Sequence, residues 1–169
     1  MLFRSIIGLR GTSAQPRLVR SLRDPVTRKV APVATKLSAG PEVGDAKNWD
    51  LAIAGMFAVT HGGTASRSAA GAPYSIAGKT GTAQVFSIAQ NAKYDEGAIN
   101  ERMRDHAWFI AFAPVEAPKI AVAVLVENGR SGSGTAAPIA RLVMDAYLLR
   151  KFPTNGNAAA TPTGDSSEE

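Results

Sequence analysis

Ile76-Ala77-Gly78-Lys79-Thr80-Gly81-Thr82-Ala83-Gln84-Val85-Phe86 is the stretch around which the other elements fall into order. Its small, β-branched and apolar residues predict a β-strand. Glycine inside a strand gives up side-chain packing, so Gly78 and Gly81 on either side of Lys-Thr call for a cause. One cause is a ligand or reacting group against the strand edge, to which Lys79, Thr80 and Thr82 offer a cation and two hydroxyls. Two other readings compete. Gly78-Lys79-Thr80 could close a phosphate-binding loop, but that loop needs glycine where the chain has Pro73, and a helix where strand continues. An edge strand with solvated Lys and Thr needs no ligand, because lysine on an edge guards against aggregation.

A chain of 169 residues allows one domain with its own core. Its 45% apolar and 20% charged residues are ordinary for a globular protein and argue against wholesale disorder. The net charge of +5 is unevenly placed: positions 1–36 carry eight Lys/Arg against the single acid Asp24. A basic beginning suggests nucleic acid, an anionic membrane surface or a targeting peptide. Only Phe3 interrupts these basic residues with an aromatic ring, which argues against a base-stacking surface. Residues 1–15 contain Arg and Ser but no acid, loosely like an organelle transit peptide, and lack the apolar core of a secretory signal. With no cysteine, thiol catalysis, thiolate metal sites and disulfides are excluded, while the compartment stays open. No apolar run reaches the length of a membrane-spanning helix.

Outward from the Lys-Thr strand, residues 1–16 form an unclear leader with neither cap nor period. Residues 17–23 predict a short strand ended by Asp24-Pro25, and 27–47 an irregular loop. A helix is expected from about Asn48 to His61. Asn48 or Asp50 would cap it, Ile53, Met56, Phe57 and Thr60 share its face, Trp49 packs at its start, and Gly62-Gly63 stops it. Residues 63–74 are a small-residue connection, and 87–104 a polar excursion. Residues 107–113 and 120–126 are continuous apolar runs. They predict an antiparallel pair of strands buried on both faces. A second helix begins near Thr135 with Pro138 in its first turn. Ile139, Leu142, Val143, Ala146 and Leu149 make its inward stripe, with Arg141 and Asp145 elsewhere. Residues 153–169 read as a disordered tail. Helix, three strands, helix gives an α+β fold.

Lys79-Thr80-Gly81 on a strand is one of three motifs of the serine acyl-transfer enzymes that include penicillin-binding proteins and β-lactamases. Residues 73–84 resemble the Lys-Thr-Gly strand of class B penicillin-binding proteins, the cell-wall D,D-transpeptidases. Residues 102–114, 121–129 and 136–141 are similar to the penicillin-binding protein 2 group, the elongation transpeptidases of rod-shaped Gram-negative bacteria. The likeness covers 17–152. It implies the carboxy-terminal part of an α+β, β-lactamase-like transpeptidase domain, incomplete here.

The resemblance also implies a chemistry. A serine attacks the penultimate D-Ala carbonyl of a peptidoglycan stem peptide, D-Ala leaves, and an amine on a neighbouring strand takes the acyl group. Lys79 would supply a positive field. Thr80, Gly81 and Thr82 would bind the donor's terminal carboxylate, or that of a β-lactam, and the Thr82 N–H would be one oxyanion-hole donor. The family's Ser-x-x-Lys and Ser-x-Asn motifs do not occur in this sequence. Nor is the family's membrane anchor seen, and Arg130-Ser131-Gly132-Ser133 replaces its usual Gly/His-rich turn. The expectation is therefore a fragment inactive alone, with no cofactor. By resemblance, its full-length relatives work on the periplasmic face of the inner membrane with elongation-machinery membrane proteins. The alternative is a non-catalytic binding module or gene remnant. His61 and His106, each without a carboxylate at ligand spacing, read as structural rather than metal-binding. Asp95 and Glu96 read as solvated charge, and Glu127-Asn128 as a turn former.

Overall fold

The computed structural model describes residues 2–85 and 100–152. Asp95, Glu96 and the expected tail at 153–169 lie outside them. The organising element is a three-stranded antiparallel sheet in the order β5-β6-β7, formed by Ala77–Ala83, His106–Ala113 and Ile120–Val126. Thr80 faces Phe109 and Gly81 faces Trp108 across the first ladder; Phe109 faces Val124 across the second. The short link through a cis Ala113-Pro114 bond brings β7 back beside β6.

Alternation along β6 feeds two cores. Ala107, Phe109, Ala111 and Ala113 point to one face, where Val122 and the helix α4 (Ala137–Leu149) close over them. Phe112 points to the other, against Ala77, Ile53 of α2 (Lys47–Thr60) and Ile7 of α1 (Leu2–Gly8). Phe109 and Phe112 are almost fully buried, and such burial stabilises by about 2–3 kcal/mol each. β6 is thus buried along the whole of one face, and on the other only at Phe112, with Trp108 exposed. β7 is an edge strand whose burial alternates, and Leu125 is exposed. A continuous apolar run is the mark of a two-faced buried strand, but here small alanines stand at the alternate positions, and an edge leaves them in solvent.

The helix α4 is rotated from its expected orientation. Ala137, Ala140 and Met144 face the sheet, while Ile139, Leu142 and Val143 are 41%, 48% and 45% exposed. Arg141 and Asp145 lie on the inward side and are satisfied there. Arg141 Nε bonds both Asp145 oxygens at 2.9 Å, and Nη1 bonds the carbonyls of Ser68 and Ala70 at 3.2 and 3.0 Å. The Tyr74 hydroxyl donates to Asp145. A period count assigns charges to the outside; a neutralised pair with backbone partners can sit under a helix, and its neighbours Ala137 and Ala140 then let the helix approach the sheet.

Other elements differ in detail. Asp45, not Asn48 or Asp50, accepts from the first turn of α2, at Lys47 N, 2.8 Å away. Ile53 and Thr60 are buried on its inner side, and Trp49 packs at its start, as expected. Before α2, the residues 17–23 are strand only at β2 (Ser21–Arg23), and the expected loop at 27–47 holds β3 (Val30–Pro32) and β4 (Leu37–Ala39). β2 pairs with β3 and β4 with β1 (Thr12–Ala14). Alpha1 and β1 have no sequence signal of cap or period, yet Ile6 and Ile7 are buried. Their order comes from the sheet they cover. Before α4, a π-type turn occupies Gly132–Ala136, and Pro138 stands in the first turn of the helix.

Candidate functional site

The candidate site is the outer edge of β5, and α2 sets its geometry. Two threonines, the last residue of that helix and one four residues beyond it, strap the helix end and the turn after it to the strand. Thr60 Oγ1 lies against the carbonyl of Ile76, just before β5 begins. Thr64 Oγ1 lies 3.2 Å from Thr80 Oγ1. Between them, Gly63 passes so close to the helix that a Cβ would stand 2.8 Å from Val59 Cα. Only glycine makes that approach, and it is what aims Thr64 at the strand. The short helix α3 (Ser66–Ala69) follows, held through Ser68 and Ala70 by Arg141.

Strand alternation divides the motif. Thr80 and Thr82 share one face with Gly78; Lys79 and Gly81 share the other. Lys79 is exposed, and its Nζ donates to the Thr80 carbonyl at 2.7 Å. Thr80 is half-buried and Thr82 exposed. One cation and two hydroxyls therefore meet at the edge of a single strand, reaching it from opposite faces.

The two glycines have another cause than the one expected. A Cβ on Gly78 would stand 2.4 Å from Phe109 Cζ, and one on Gly81 would stand 2.0 Å from Trp108 Nε1. Both spaces are filled from within, by aromatic side chains of the neighbouring strand. Gly81 is also pressed from its other face. A Cβ on Gly132 would stand 2.6 Å from the carbonyl oxygens of both Gly81 and Trp108, so the glycine-serine turn lies directly on the ladder. The room is for packing, and it holds the strand flat and fixed beneath its polar side chains.

Both histidines make contacts within the fold. His61 stacks on Phe57 with ring centroids 3.6 Å apart. His106 Nδ1 accepts from Asn128 N at 2.9 Å, and Asn128 Nδ2 donates to the Arg104 carbonyl. Asn128, in the left-handed region at φ 55°, shapes the turn after β7. Among the described residues no three His, Asp or Glu side chains gather as a metal site, and no helix is long and apolar enough to cross a membrane. Burial opposes ionisation of Asp145, but hydrogen bonds from Tyr74 and Arg141 hold its carboxyl below the usual range. Burial, with Asp145 beside it, pushes the Tyr74 hydroxyl well up. Ser75 donates to Glu116 and lowers its carboxyl.

Gly63 and Thr64 fall in what the sequence alone suggests is only a small-residue connection, and the helical period places Thr60 on a face without showing its bond to the strand. A signal existed: two threonines at i, i+4 spanning Gly62-Gly63 and followed by the Lys-Thr strand.

The description of the penicillin-binding protein transpeptidase domain matches residues 3–145. The chain is similar to the peptidoglycan D,D-transpeptidase MrdA of Haemophilus influenzae, 47% identical over 107 residues, which are 62% of this chain and 16% of that protein. Among solved structures it is similar to penicillin-binding protein A of Mycobacterium tuberculosis as its imipenem acyl-enzyme, with a TM-score of 0.65 and 30% identity over 87% of this chain and 29% of that one. It is similar too to the penicillin-binding protein PBP2 of Helicobacter pylori, solved in complex with MreC. There the TM-score is 0.64 and the identity 26%, over 88% of this chain and 24% of that one. The sequence thus spans about a sixth of the length of the curated relative it matches.

Proposed function

We propose, since the chain belongs to the penicillin-binding protein transpeptidase family, that it carries one wall of a serine D,D-transpeptidase site. Residues 17–152 make up the carboxy-terminal part of that domain. The observation that carries this reading is Lys79-Thr80-Gly81-Thr82 on the edge strand β5, with its cation and hydroxyls at an edge that no other strand among the described residues covers. Thr80 and Thr82 donate to the terminal carboxylate of a D-Ala-D-Ala stem peptide or of a β-lactam, and the backbone of Gly81 lies between them on the strand. Lys79 holds a positive field beside it, and the Thr82 N–H is one oxyanion donor.

The acyl step needs a nucleophile that this sequence does not contain in its Ser-x-x-Lys form. In that step a serine oxygen bonds to the carbonyl carbon, the D-Ala nitrogen departs with a proton, and an acceptor amine later displaces the serine. These residues bind and polarise; they do not attack. The longer relatives' setting, the periplasmic face of the inner membrane beside elongation proteins such as MreC, is part of this proposal.

The test pairs two measurements on the same chain. Titration with N-acetyl-D-alanyl-D-alanine, followed by amide NMR, should shift Thr80, Gly81 and Thr82, and the shifts should vanish in Thr80→Val/Thr82→Val. Incubation with a labelled penicillin should leave the intact mass unchanged. A stable adduct would overturn the inactive-alone reading, and titration without shifts at those amides would overturn the binding wall.

A further inference from the structure

The net charge of the whole chain resides in one arm. Residues 16–36 hold six basic side chains, Arg17, Arg20, Arg23, Arg28, Lys29 and Lys36, and one acid, Asp24. The chain has 19 basic and 14 acidic residues, so the arm's +5 equals the total and the remaining residues balance to zero. Asp24 is engaged by its own turn: its Oδ1 accepts from the backbone N–H of Val26 and Thr27 at 2.9 and 2.7 Å. Those bonds hold its carboxyl below the usual range. It closes the turn of the β2–β3 hairpin rather than answering the arginines.

The arm stands off the body of the protein. Every residue from 15 to 32 is exposed, and β2 and β3 pack chiefly on each other. The exposed side chains are of two kinds. Leu18, Leu22, Val26 and Val30 are bare at 104%, 62%, 87% and 55% exposure, and they alternate along the arm with the basic residues. A two-stranded ribbon with both faces in water gains nothing from such residues in folding. They suit a surface that takes aliphatic side chains and is negatively charged.

We propose that the arm at residues 16–36 is a docking site for an anionic phospholipid surface. Charge complementarity selects the sign of the partner, because basic residues beside an anionic bilayer each strengthen binding by roughly fivefold. The interleaved Leu and Val select lipid over nucleic acid. Short aliphatic chains enter the headgroup boundary while arginine stems snorkel beside them, whereas a single-strand binder would present aromatic rings, and the arm has none. This inference does not depend on the transpeptidase reading.

The test is sedimentation of the full chain with vesicles of phosphatidylcholine alone or with 30–40% phosphatidylglycerol, at about 0.05 and 0.5 M salt, where screening differs widely. Binding should require the anionic lipid and fall steeply at high salt. Arg20→Gln/Arg23→Gln/Lys29→Gln removes three charges and should weaken binding by roughly a hundredfold. Leu22→Ser/Val26→Ser keeps every charge and should weaken it by roughly tenfold, by removing the inserted apolar groups. Both variants lie outside the two cores, so circular dichroism and melting should match the parent chain. Equal binding to neutral vesicles, no binding to either, or salt-sensitive binding to duplex DNA that exceeds binding to anionic vesicles would each overturn the proposal.

Discussion

Replacing Gly132 with alanine would drive a methyl group into the backbone of the sheet. The new Cβ would stand 2.6 Å from the carbonyl oxygens of Gly81 and Trp108 and 3.0 Å from Gly81 N. Ordinary contact begins near 3.4 Å, so the glycine-serine turn must lift by about 0.8 Å or the ladder must bend. No side chain can rotate away, because all three atoms are backbone. Overpacking of this kind costs about 1–3 kcal/mol, and a backbone clash belongs at about 3. In a domain of this size each kcal/mol lowers the melting temperature by about 2–4 °C, so Gly132→Ala should melt about 6–12 °C below the parent chain. Gly55 is the control. It lies inside α2 with open space around its Cβ position, so Gly55→Ala should gain up to about 1 kcal/mol of helix propensity. Thermal melts by circular dichroism, with urea titrations beside them, read both. If Gly132→Ala melts with the parent chain while Gly55→Ala rises, the turn does not press on the Lys-Thr-Gly strand, and the packing account of Gly81 fails with it.

Asp145→Asn should cost about 2 kcal/mol near neutral pH, because it weakens charge-assisted bonds from Arg141 and Tyr74. The folded carboxyl titrates below its unfolded value, so its stabilisation is full above about pH 5 and is lost as pH falls through the folded value. The gap in melting temperature between parent and variant should therefore close on acidification; a gap constant down to about pH 2 would refute the pairing. Leu142→Glu places a charge in the exposed stripe of α4 beside Ile139 and Val143. The bare stripe predicts that the parent chain self-associates in sedimentation velocity and that this variant associates less at unchanged helix content; a monomeric parent, or association unaltered in the variant, would refute it. Thr64→Val removes the hydroxyl 3.2 Å from Thr80 Oγ1. Three-bond couplings should then show the Thr80 side chain averaging over rotamers, while Thr64→Ser keeps it fixed; identical couplings in all three proteins would dismiss the strap.

The strands at Ala77–Ala83, His106–Ala113 and Ile120–Val126 and the helices at Lys47–Thr60 and Ala137–Leu149 were legible from residue order, because propensity, glycine stops and a proline in a first turn act locally. So was the presence of Lys79, Thr80 and Thr82 on one strand. Three matters were decided only by residues distant in the chain. The face of α4 that turns inward depends on Tyr74 and the Ser68 and Ala70 carbonyls, which neutralise Arg141 and Asp145 from about 70 positions away. The need for Gly78 and Gly81 comes from Phe109 and Trp108 across the ladder, and from Gly132 above it. The order of α1 comes from the sheet it covers, since its own residues carry no cap. Local sequence sets which backbone states are cheap; which side chains may be buried, and which glycines are obligatory, is set by atoms that meet only after the chain has folded.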